Sequence, residues 1–315
     1  MYNKNILALS GGVGGAKLAL GLSQVLPAEQ LTVVANTADD FEHLGLHIAP
    51  DLDTVMYTLA GISNREQGWG LADESWQCMQ AIRRLGGESW FQLGDQDLAT
   101  HLLRSQWLAA GDNLTTVTDR LCQRLSVRYR ILPMCNEKVS TLVHSPAGDL
   151  PFQHYFVREQ CRPEVSGFSF RGIENSRLSS QLSAAIEAMG ALIVCPSNPF
   201  VSIAPILAVN SLKQTIIARN TPRIVVSPIV SGMAIKGPAG KMMQELSMPV
   251  TALSVAEYYR QFATHFVLDS ADSHYRQAIE ALGMEVIICN TVMHSLDERI
   301  SLAKTLLDSS ALQGD

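Results

Sequence analysis

The fold is decided by residues 5–22, which read NILALSGGVGGAKLALGL. Asn5–Leu9 is a short apolar run, a pattern typical of a buried strand. The glycine-rich SGGVGGAK, residues 10–17, follows without a gap, and apolar residues at helical spacing come next, over Ala16–Leu26. A strand, a glycine loop and a helix in this order predict the opening unit of an α/β sheet.

The glycine loop also predicts a phosphate site. Its four glycines allow a sharp turn and a close approach of the backbone to a ligand, and N–H groups at a helix start attract an anion. The loop is not a Walker A motif, because Lys17 is followed by Leu18 and not by Ser or Thr. It also lacks the last glycine of the dinucleotide-binding fingerprint, which would stand at position 17. The alternative is a tight strand-to-helix turn that binds nothing.

Short apolar runs and helical patterns alternate along much of the chain. Further buried strands are predicted at Leu31–Ala35, Ala191–Cys195, Arg223–Ser227, His265–Asp269 and Glu285–Cys289. Helical spacing is found over Ser179–Met189, Ala256–Phe262, Tyr275–Leu282 and Leu296–Leu307. This alternation predicts an α/β fold with a doubly wound, mostly parallel sheet.

The middle of the chain has a different pattern. Helices are predicted over Glu74–Leu85, Leu98–Ala110 and Leu114–Leu125, and strands joined by short loops over Arg128–Leu132, Val139–His144 and Phe152–Val157. We interpret residues 1–315 as one domain, with a helical insertion at about residues 73–160. A small antiparallel element accompanies these helices, and the insertion is expected to form one wall of the site.

Composition excludes several classes of protein. Hydrophobic residues make up 47% of the 315 residues and charged residues 17%, so the chain is globular. Lys and Arg number 24 against 30 Asp and Glu, and a net charge of −6 argues against a nucleic-acid partner. The six cysteines form no CxxC pair, which favours reduced thiols. No targeting segment is evident and no apolar run approaches about 20 residues, so we expect a soluble cytoplasmic protein without a membrane partner.

Acidic residues follow the second strand and precede the next helical run. The segments are NTADD, residues 36–40, and PDLDT, residues 50–54. Because ligands of open parallel sheets bind at the carboxyl ends of the strands, these acids are expected beside the glycine loop. Carboxylates and phosphate oxygens suit Mg2+. The candidate carboxylates are Asp39, Asp40, Asp51 and Asp53, and the alternative roles are a helix cap or a turn.

Three later motifs carry further candidates. In PSNP, two prolines fix Ser197 and Asn198 at the end of a strand, either as a recognition loop or as a plain turn. In LGDQDLATH, residues 93–101, Asp97 is a candidate helix cap and His101 lies one turn later. His101 either faces the crevice or packs within the insertion. Around GPAG, two lysines are candidate partners of a phosphate or are solvated: Lys236 and Lys241.

Taken in order, these motifs resemble those of the 2-phospho-L-lactate transferases, over nearly the whole chain. The matching segments are GGVGGAK (11–17), ANTADD (35–40), PDLDT (50–54), LGDQDLATH (93–101), PSNP (196–199) and GPAGK (237–241). The resemblance implies a Rossmann-like fold and a Mg2+-dependent enzyme, a homodimer, of coenzyme F-420 biosynthesis. Such an enzyme moves a phospholactyl-type unit (phospholactate, phosphoenolpyruvate or phosphoglycerate) from a guanylylated diphosphate donor to the deazariboflavin Fo, and GMP leaves.

The resemblance also implies roles for individual residues. Metal is expected on Asp40, Asp51 and Asp53, and Asp53 is also expected to contact the acceptor hydroxyl or act as its base. Phosphate is expected on Gly11, Gly12, Gly14, Gly15 and Lys17, the guanosine half on Ser197 and Asn198, and further substrate contacts on Asn36, Asp95 and His101. One position departs from the family, since Gln92 stands where members can carry a basic residue that meets the deazaflavin.

Two other functions compete with this one. A sister group with a similar glycine-rich start binds nucleotide sugars and acts in regulation without catalysis. Its members are not expected to combine the PDLDT and LGDxDxATH segments. A dinucleotide-dependent oxidoreductase is disfavoured by the incomplete fingerprint. No motif distinguishes lactate, enolpyruvate and glycerate as the acid that the donor carries.

Overall fold

The structure is a computed structural model that describes residues 4–313. The strands are β1 Asn5–Ser10, β2 Leu31–Ala35, β3 Phe41–His43, β4 Leu46–Ile48, β5 Arg130–Pro133, β6 Ser140–Ser145, β7 Gly148–Pro151, β8 Gly167–Arg171, β9 Met189–Val194, β10 Arg223–Val226, β11 Ile229–Val230, β12 Met233–Ala234, β13 His265–Asp269 and β14 Glu285–Cys289.

The α-helices alternate with these strands. They are α1 Gly12–Ser23, α2 Pro50–Ala60, α3 Gln77–Arg84, α4 Asp95–Ala109, α5 Leu114–Arg124, α6 Ser180–Ala188, α7 Ala204–Ala208, α8 Leu212–Ala218, α9 Ala239–Glu245, α10 Ala252–Tyr259, α11 Arg276–Glu280, α12 Leu296–Leu307 and α13 Ser310–Gln313. Short π-helical turns cover His154–Arg158 and Pro199–Ile203.

Seven strands form one parallel sheet in the order β14-β13-β10-β9-β1-β2-β5. From β1 the chain first builds outward through β2 to β5, and it then returns to the other side of β1 to place β9, β10, β13 and β14. The order therefore reverses between β1 and β9. Ligands of doubly wound sheets bind at such a reversal, at the carboxyl ends of the strands.

Two layers of helices cover the sheet, because its strands are apolar on both faces. Along β1, Ile6 and Ala8 pack into a core formed with α1, α2, α5 and α12. Leu7 and Leu9 point the opposite way, into a core formed with α6, α10 and the small β6–β8 sheet. Among residues 4–313 no single helix is long and apolar enough to cross a membrane, and one pair bent by 78°, Pro199–Ala208 with Leu212–Ala218, qualifies by length and composition.

The predicted fold class is confirmed. All six strands predicted from apolar runs lie in the parallel sheet. Leu31–Ala35, His265–Asp269 and Glu285–Cys289 have the predicted bounds, and so does the helix Leu296–Leu307. These elements were predictable because each strand is buried on both faces and bounded by polar or turn residues.

Two strand predictions in the middle of the chain need correction, since one strand lies in a different sheet and the other segment is helical. Arg128–Leu132, assigned to the antiparallel element, overlaps β5, which pairs in parallel with β2 because α5 returns the chain to the edge of the main sheet. Phe152–Val157 is helical, and the rings of Phe152 and Phe156 stack 5.5 Å apart on one helical face. The small antiparallel sheet is β7-β6-β8, and β8 lies beyond residue 160. The predicted insertion, residues 73–160, thus contains a strand of the central sheet and lacks one strand of the small sheet.

Candidate active site

Three motifs follow β1, β2 and β9 and so lie together at the carboxyl-terminal ends of these neighbouring strands. The glycine loop follows β1, the NTADD segment (36–40) follows β2, and the PSNP segment (196–199) follows β9. Backbone hydrogen bonds tie these ends together, from Asn36 N to Ser10 O (3.0 Å) and from Cys195 N to Leu9 O (3.0 Å). Parallel pairing therefore assembles the candidate site from residues far apart in sequence.

Close packing explains the glycines of the loop. A Cβ built on Gly14 would lie 2.2 Å from the carbonyl oxygen of Pro196, and one built on Gly11 would lie 2.4 Å from Ser202 Cβ. A Cβ on Gly15 would lie 2.7 Å from the Ser197 hydroxyl. These three positions admit only glycine unless the segment after β9 moves away and, for Gly15, Ser10 at the end of β1 moves as well.

Gly12 starts α1 and needs glycine for a different reason. Its φ of +65° lies in the left-handed region, which side chains disfavour. Its N–H donates to Asp51 Oδ1 at 2.7 Å, so a carboxylate already occupies part of the helix start. The loop thus forms a tight turn and donates to a carboxylate of the protein itself, and its binding of phosphate stays a prediction.

Asp51 is the centre of a buried carboxylate cluster that we define as Asp39, Asp40 and Asp51. Besides Gly12 N, Asp51 accepts a hydrogen bond from Asn36 Nδ2 at 3.0 Å. Burial raises the pKa of Asp51 to about 6, and the negative charge of Asp40 adds to this effect. The Asp51 carboxyl is therefore mostly ionised at pH 7 and becomes protonated as the pH falls through about 6.

The other two members of the carboxylate cluster are less well satisfied. One oxygen of each, Asp39 Oδ1 and Asp40 Oδ1, is buried without a hydrogen-bond partner. Burial and the charges of Asp51 and Asp40 raise the pKa of Asp39 well above its ordinary value, and burial also raises the pKa of Asp40. The other oxygen of Asp40 lies 3.1 Å from His47 Nε2. A set of carboxylate oxygens with unfilled valences fits a hard divalent cation such as Mg2+.

Asp53, on α2, lies apart from this cluster. It belongs to a buried hydrogen-bond network with residues of α4. Arg104 donates from both of its terminal nitrogens to the two Asp53 oxygens, with an Nη1 to Oδ2 distance of 3.0 Å. His101 Nδ1 lies 3.0 Å from Arg104 Nη1 and 3.7 Å from Asp53 Oδ2. His101 Nε2 lies 3.2 Å from Asp97 Oδ1, and Tyr57 donates to that oxygen at 2.7 Å.

The three predicted metal ligands consequently do not form one compact set. Within residues 4–313, the one group of three side chains whose donor atoms all lie within 4.8 Å of one another is Asp53, Asp97 and His101. Asp51 and Asp53 are two residues apart on α2, where side chains point about 200° apart around the axis. Asp51 meets the glycine loop and Asp53 meets α4. Asp53 stays within electrostatic range of Asp40, whose pKa its charge helps to raise.

Two predicted guanosine contacts, Ser197 and Asn198, have structural partners. The Ser197 hydroxyl accepts from Gly11 N at 3.2 Å, which couples the PSNP segment to the glycine loop. Asn198 Oδ1 accepts from Phe200 N at 2.9 Å and caps the turn that follows. The Ser197 side chain thus lies beside the glycine loop, whereas Asn198 Nδ2 lies 3.3 Å from Met242 Sδ on α9.

Other predicted contacts are similarly engaged. Asp95 accepts hydrogen bonds from Ser75 Oγ (2.5 Å) and from two backbone N–H groups at the start of α3. It therefore acts as a cap for α3. Gln92 donates to Ser89 O at 2.6 Å, and its Oε1 lies 3.5 Å from an Arg83 nitrogen. Arg83 thus brings a positive charge to the position where family members can carry a basic residue. Lys241 is paired with Glu245 at 2.5 Å.

Arg104, which forms the ion pair with Asp53, was not among the residues predicted from the sequence. A signal was present, because Asp97, His101 and Arg104 are spaced i, i+4 and i+7 and so share one face of α4. What the spacing did not reveal is that this face meets α2 at Asp53, 51 residues earlier in the chain.

Comparison with known proteins agrees with this arrangement of motifs. A family model described as 2-phospho-L-lactate transferase CofD matches residues 6–299. A 2-phospho-L-lactate transferase from Methanosarcina acetivorans is 36% identical over 299 residues, which is 95% of this chain and 97% of the relative. A phosphoenolpyruvate transferase from Kitasatospora aureofaciens is 38% identical over 309 residues, 96% of either chain.

A solved structure shares the fold at much lower sequence identity. A UPF0052 family protein from Bacillus halodurans has a TM-score of 0.64 with 12% identity, over 98% of this chain and all of the other. At this identity the likeness concerns the fold alone. The two transferases match over a similar length but at a much higher sequence identity, 36% and 38%.

Proposed function

This chain belongs to the 2-phospho-L-lactate transferase family, and from that premise we propose that it acts in coenzyme F-420 biosynthesis. It transfers a phospholactate, phosphoenolpyruvate or phosphoglycerate unit from a guanylylated diphosphate donor to the terminal hydroxyl of the deazariboflavin Fo. The new bond joins the hydroxyl oxygen to the phosphorus that carries the acid. The bridging P–O bond of the diphosphate breaks, GMP leaves, and the hydroxyl loses its proton.

The observation that carries this proposal is the carboxylate cluster beside the glycine loop. Asp51 meets Gly12 N at 2.7 Å, while Asp39 and Asp40 each keep one buried oxygen without a partner. Buried carboxylate oxygens without partners destabilise the folded state, and a simple strand-to-helix turn would not require them. They are useful where a cation must join the protein to a diphosphate.

We propose that Asp40 and Asp51 hold Mg2+. When bound, Mg2+ would neutralise charge that builds up on the diphosphate oxygens. Asn36 donates to Asp51 at 3.0 Å and to Val201 O at 3.4 Å, so it fixes the orientation of this carboxylate. The backbone N–H groups of the glycine loop would also favour the phosphates, because the positive ends of their dipoles point toward the bound anion.

The Arg104 pair suggests a narrower role for Asp53 than a general base. A carboxylate in a two-point contact with a buried guanidinium is held in one orientation and is a well-oriented hydrogen-bond acceptor. Each Asp53 oxygen retains a further lone pair beyond its bond to Arg104. We propose that Asp53 accepts a hydrogen bond from the Fo hydroxyl and aligns it with the phosphorus. A loose phosphoryl-transfer transition state needs little proton abstraction beforehand, which suits this role.

The remaining features of the proposal concern partners and location. Fo and the guanylylated donor are small-molecule substrates, and Gln92 with Arg83 marks the acceptor side of the site. We also propose a homodimer, as the family resemblance implies, and a cytoplasmic location, in keeping with the scattered cysteines.

Release of GMP tests the proposal. Purified protein with Mg2+, Fo and each of the three donors in turn should produce GMP with at least one of them. Asp53→Asn should abolish turnover in protein that circular dichroism shows to be folded, although its melting temperature should fall because Arg104 loses its carboxylate partner. The matched control is Asp149→Asn, since Asp149 is exposed and its carboxylate contacts His144 at 2.6 Å on the small antiparallel sheet. Binding of nucleotide without GMP release from any donor would instead support the non-catalytic nucleotide-sugar-binding function.

A further inference from the structure

Lys17 on α1 and three basic side chains from segments around this helix act electrostatically on one another, and we call the four the basic cluster: Lys17, Arg65, Lys236 and Arg299. Lys17 lies on α1, Arg65 in the loop after α2, Lys236 after β12, and Arg299 on α12. In the described part of the chain, none of the four has a carboxylate oxygen within 4.0 Å. In a protein with more acidic than basic residues, four unpaired cations in one place call for a reason.

Backbone packing holds the four segments together. Lys17 Nζ donates to Met293 O at 2.9 Å, in the loop that leads into α12. Arg299 O would lie 2.2 Å from a Cβ on Gly21, so α12 is in close contact with α1. On the other side, Lys236 Nζ donates to Gln67 O at 3.2 Å.

The loop after α2 completes the arrangement. A Cβ on Gly68 would lie 3.2 Å from Val13 Cγ1, so this loop rests on the first turn of α1. The same Cβ would lie 2.5 Å from Lys236 Nζ, which places that charge beside the helix start. The basic cluster therefore begins next to the glycine loop and continues onto α12.

The cations act on one another without compensation. Burial lowers the pKa of Lys17, and the charges of Arg299 and Lys236 lower it further. Burial and the charge of Arg65 lower the pKa of Arg299. Arg299 Nε is buried with no hydrogen-bond partner. Glu298 is the acid that acts on Lys17, but its carboxylate is engaged with His294 N and Ser295 N, both at 2.7 Å.

We propose that the basic cluster is an anion subsite that takes a phosphate group of the guanylylated donor. The inference rests on the proposed function and deepens it by adding Arg65 and Arg299 to the phosphate-binding residues. The carboxylate cluster touches the glycine loop at Gly12, whereas the segments that carry the basic cluster pack on α1 through Gly68, which lies against Val13, and through the Arg299 backbone, which lies against Gly21. A diphosphate at the loop thus has a metal-binding side and a directly cationic side, and the unpartnered Arg299 Nε supplies a donor for the latter.

Equilibrium binding of GDP and of inorganic pyrophosphate, measured by calorimetry without turnover, tests the subsite. Each neutral replacement, Arg299→Gln or Lys236→Gln, should weaken GDP binding about tenfold, since a hydrogen bond to a charged group contributes about 1.5–3 kcal/mol. Arg299→Lys should retain more affinity than Arg299→Gln, and the dependence of affinity on salt should decrease in both Gln variants. The matched control is Arg276→Gln, because Arg276 is an exposed residue on α11 paired with Glu280 at 2.8 Å.

The outcomes separate the subsite from the enzyme activity. Equal binding of GDP and pyrophosphate by the wild type, Lys236→Gln and Arg299→Gln, within twofold, would overturn the subsite even if GMP release is observed. Weakened binding in both Gln variants and not in Arg276→Gln would support it even if no donor is turned over. Lys236 is exposed, so its replacement should leave folding intact and keeps the test informative if an Arg299 variant is unstable.

Discussion

Replacement of Arg104 by Met is expected to destabilise the protein strongly, because it leaves Asp53 as a buried charge without its cation. Both side chains are almost fully buried, with exposures of 2% for Arg104 and 7% for Asp53. Removing one partner of such a pair typically costs about 3–5 kcal/mol. A folded domain has a total stability of about 5–15 kcal/mol, so the loss should be large and readily measured.

Urea denaturation followed by circular dichroism at pH 7 measures this loss by linear extrapolation. The matched control is Arg276→Met, which breaks an exposed i, i+4 pair with Glu280 and should change stability by about 0.5 kcal/mol or less. The double variant Asp53→Asn/Arg104→Met should be more stable than the sum of the two single changes predicts, since no charge is then left unpaired.

A loss below about 1 kcal/mol in Arg104→Met would refute the reasoning. It would mean that water or another group reaches Asp53 once the guanidinium is gone, so the two charges are not locked together as the geometry indicates. Additive effects in the double variant would contradict the direct pairing in the same way. In either case Asp53 would again be a candidate general base.

Three further predictions follow from the carboxylate cluster, the glycine loop and the thiols. Burial raises the pKa of Asp51 to about 6, so below that pH Mg2+ must displace a proton, and titration calorimetry should show Mg2+ affinity about tenfold weaker at pH 5 than at pH 7; a pH-independent affinity would contradict Asp51 as a ligand. Gly14→Ala should lower stability by about 1–3 kcal/mol in urea denaturation, because the new methyl group would meet Pro196 O at 2.2 Å; an unchanged midpoint would show that the segment after β9 yields freely. Exposed Cys78 should react with a thiol reagent in the native protein, while buried Cys195, whose pKa burial raises to about 12, should react only after denaturation, as peptide mass mapping can show.

The parallel sheet was predictable from the sequence because its strands are buried on both faces. Runs such as Leu31–Ala35 and His265–Asp269 are continuous, short and bounded by polar residues, so their pattern matches one structure. Phe152–Val157 shows where such patterns fail, since a six-residue apolar run fits a strand or a helical turn equally well. The position of β5 in the sheet could not be predicted from the sequence, because it depends on how α5 returns the chain to β2.

The candidate site was predictable in its residue types and only partly in its contacts. Asp51 and Asp53 were both expected beside the glycine loop. Asp51 lies there, but Asp53 points to α4 because the helix that carries both residues directs the two carboxylates to different sides. Arg104 decides the surroundings of Asp53 through a contact across 51 residues, which no local pattern encodes. Contacts between residues that lie far apart in the sequence could therefore be identified only from the structure.

The most direct test of the proposed function is the mass of Fo after incubation with the protein, Mg2+ and each guanylylated donor. The proposal predicts that Fo gains the mass of one phospholactyl, phosphoenolpyruvyl or phosphoglyceryl unit, with an equal amount of GMP formed. It also predicts no gain with Asp53→Asn and a full gain with Asp149→Asn. Fo recovered unchanged with all three donors, from protein shown to be folded and to bind GDP, would contradict the proposed transfer.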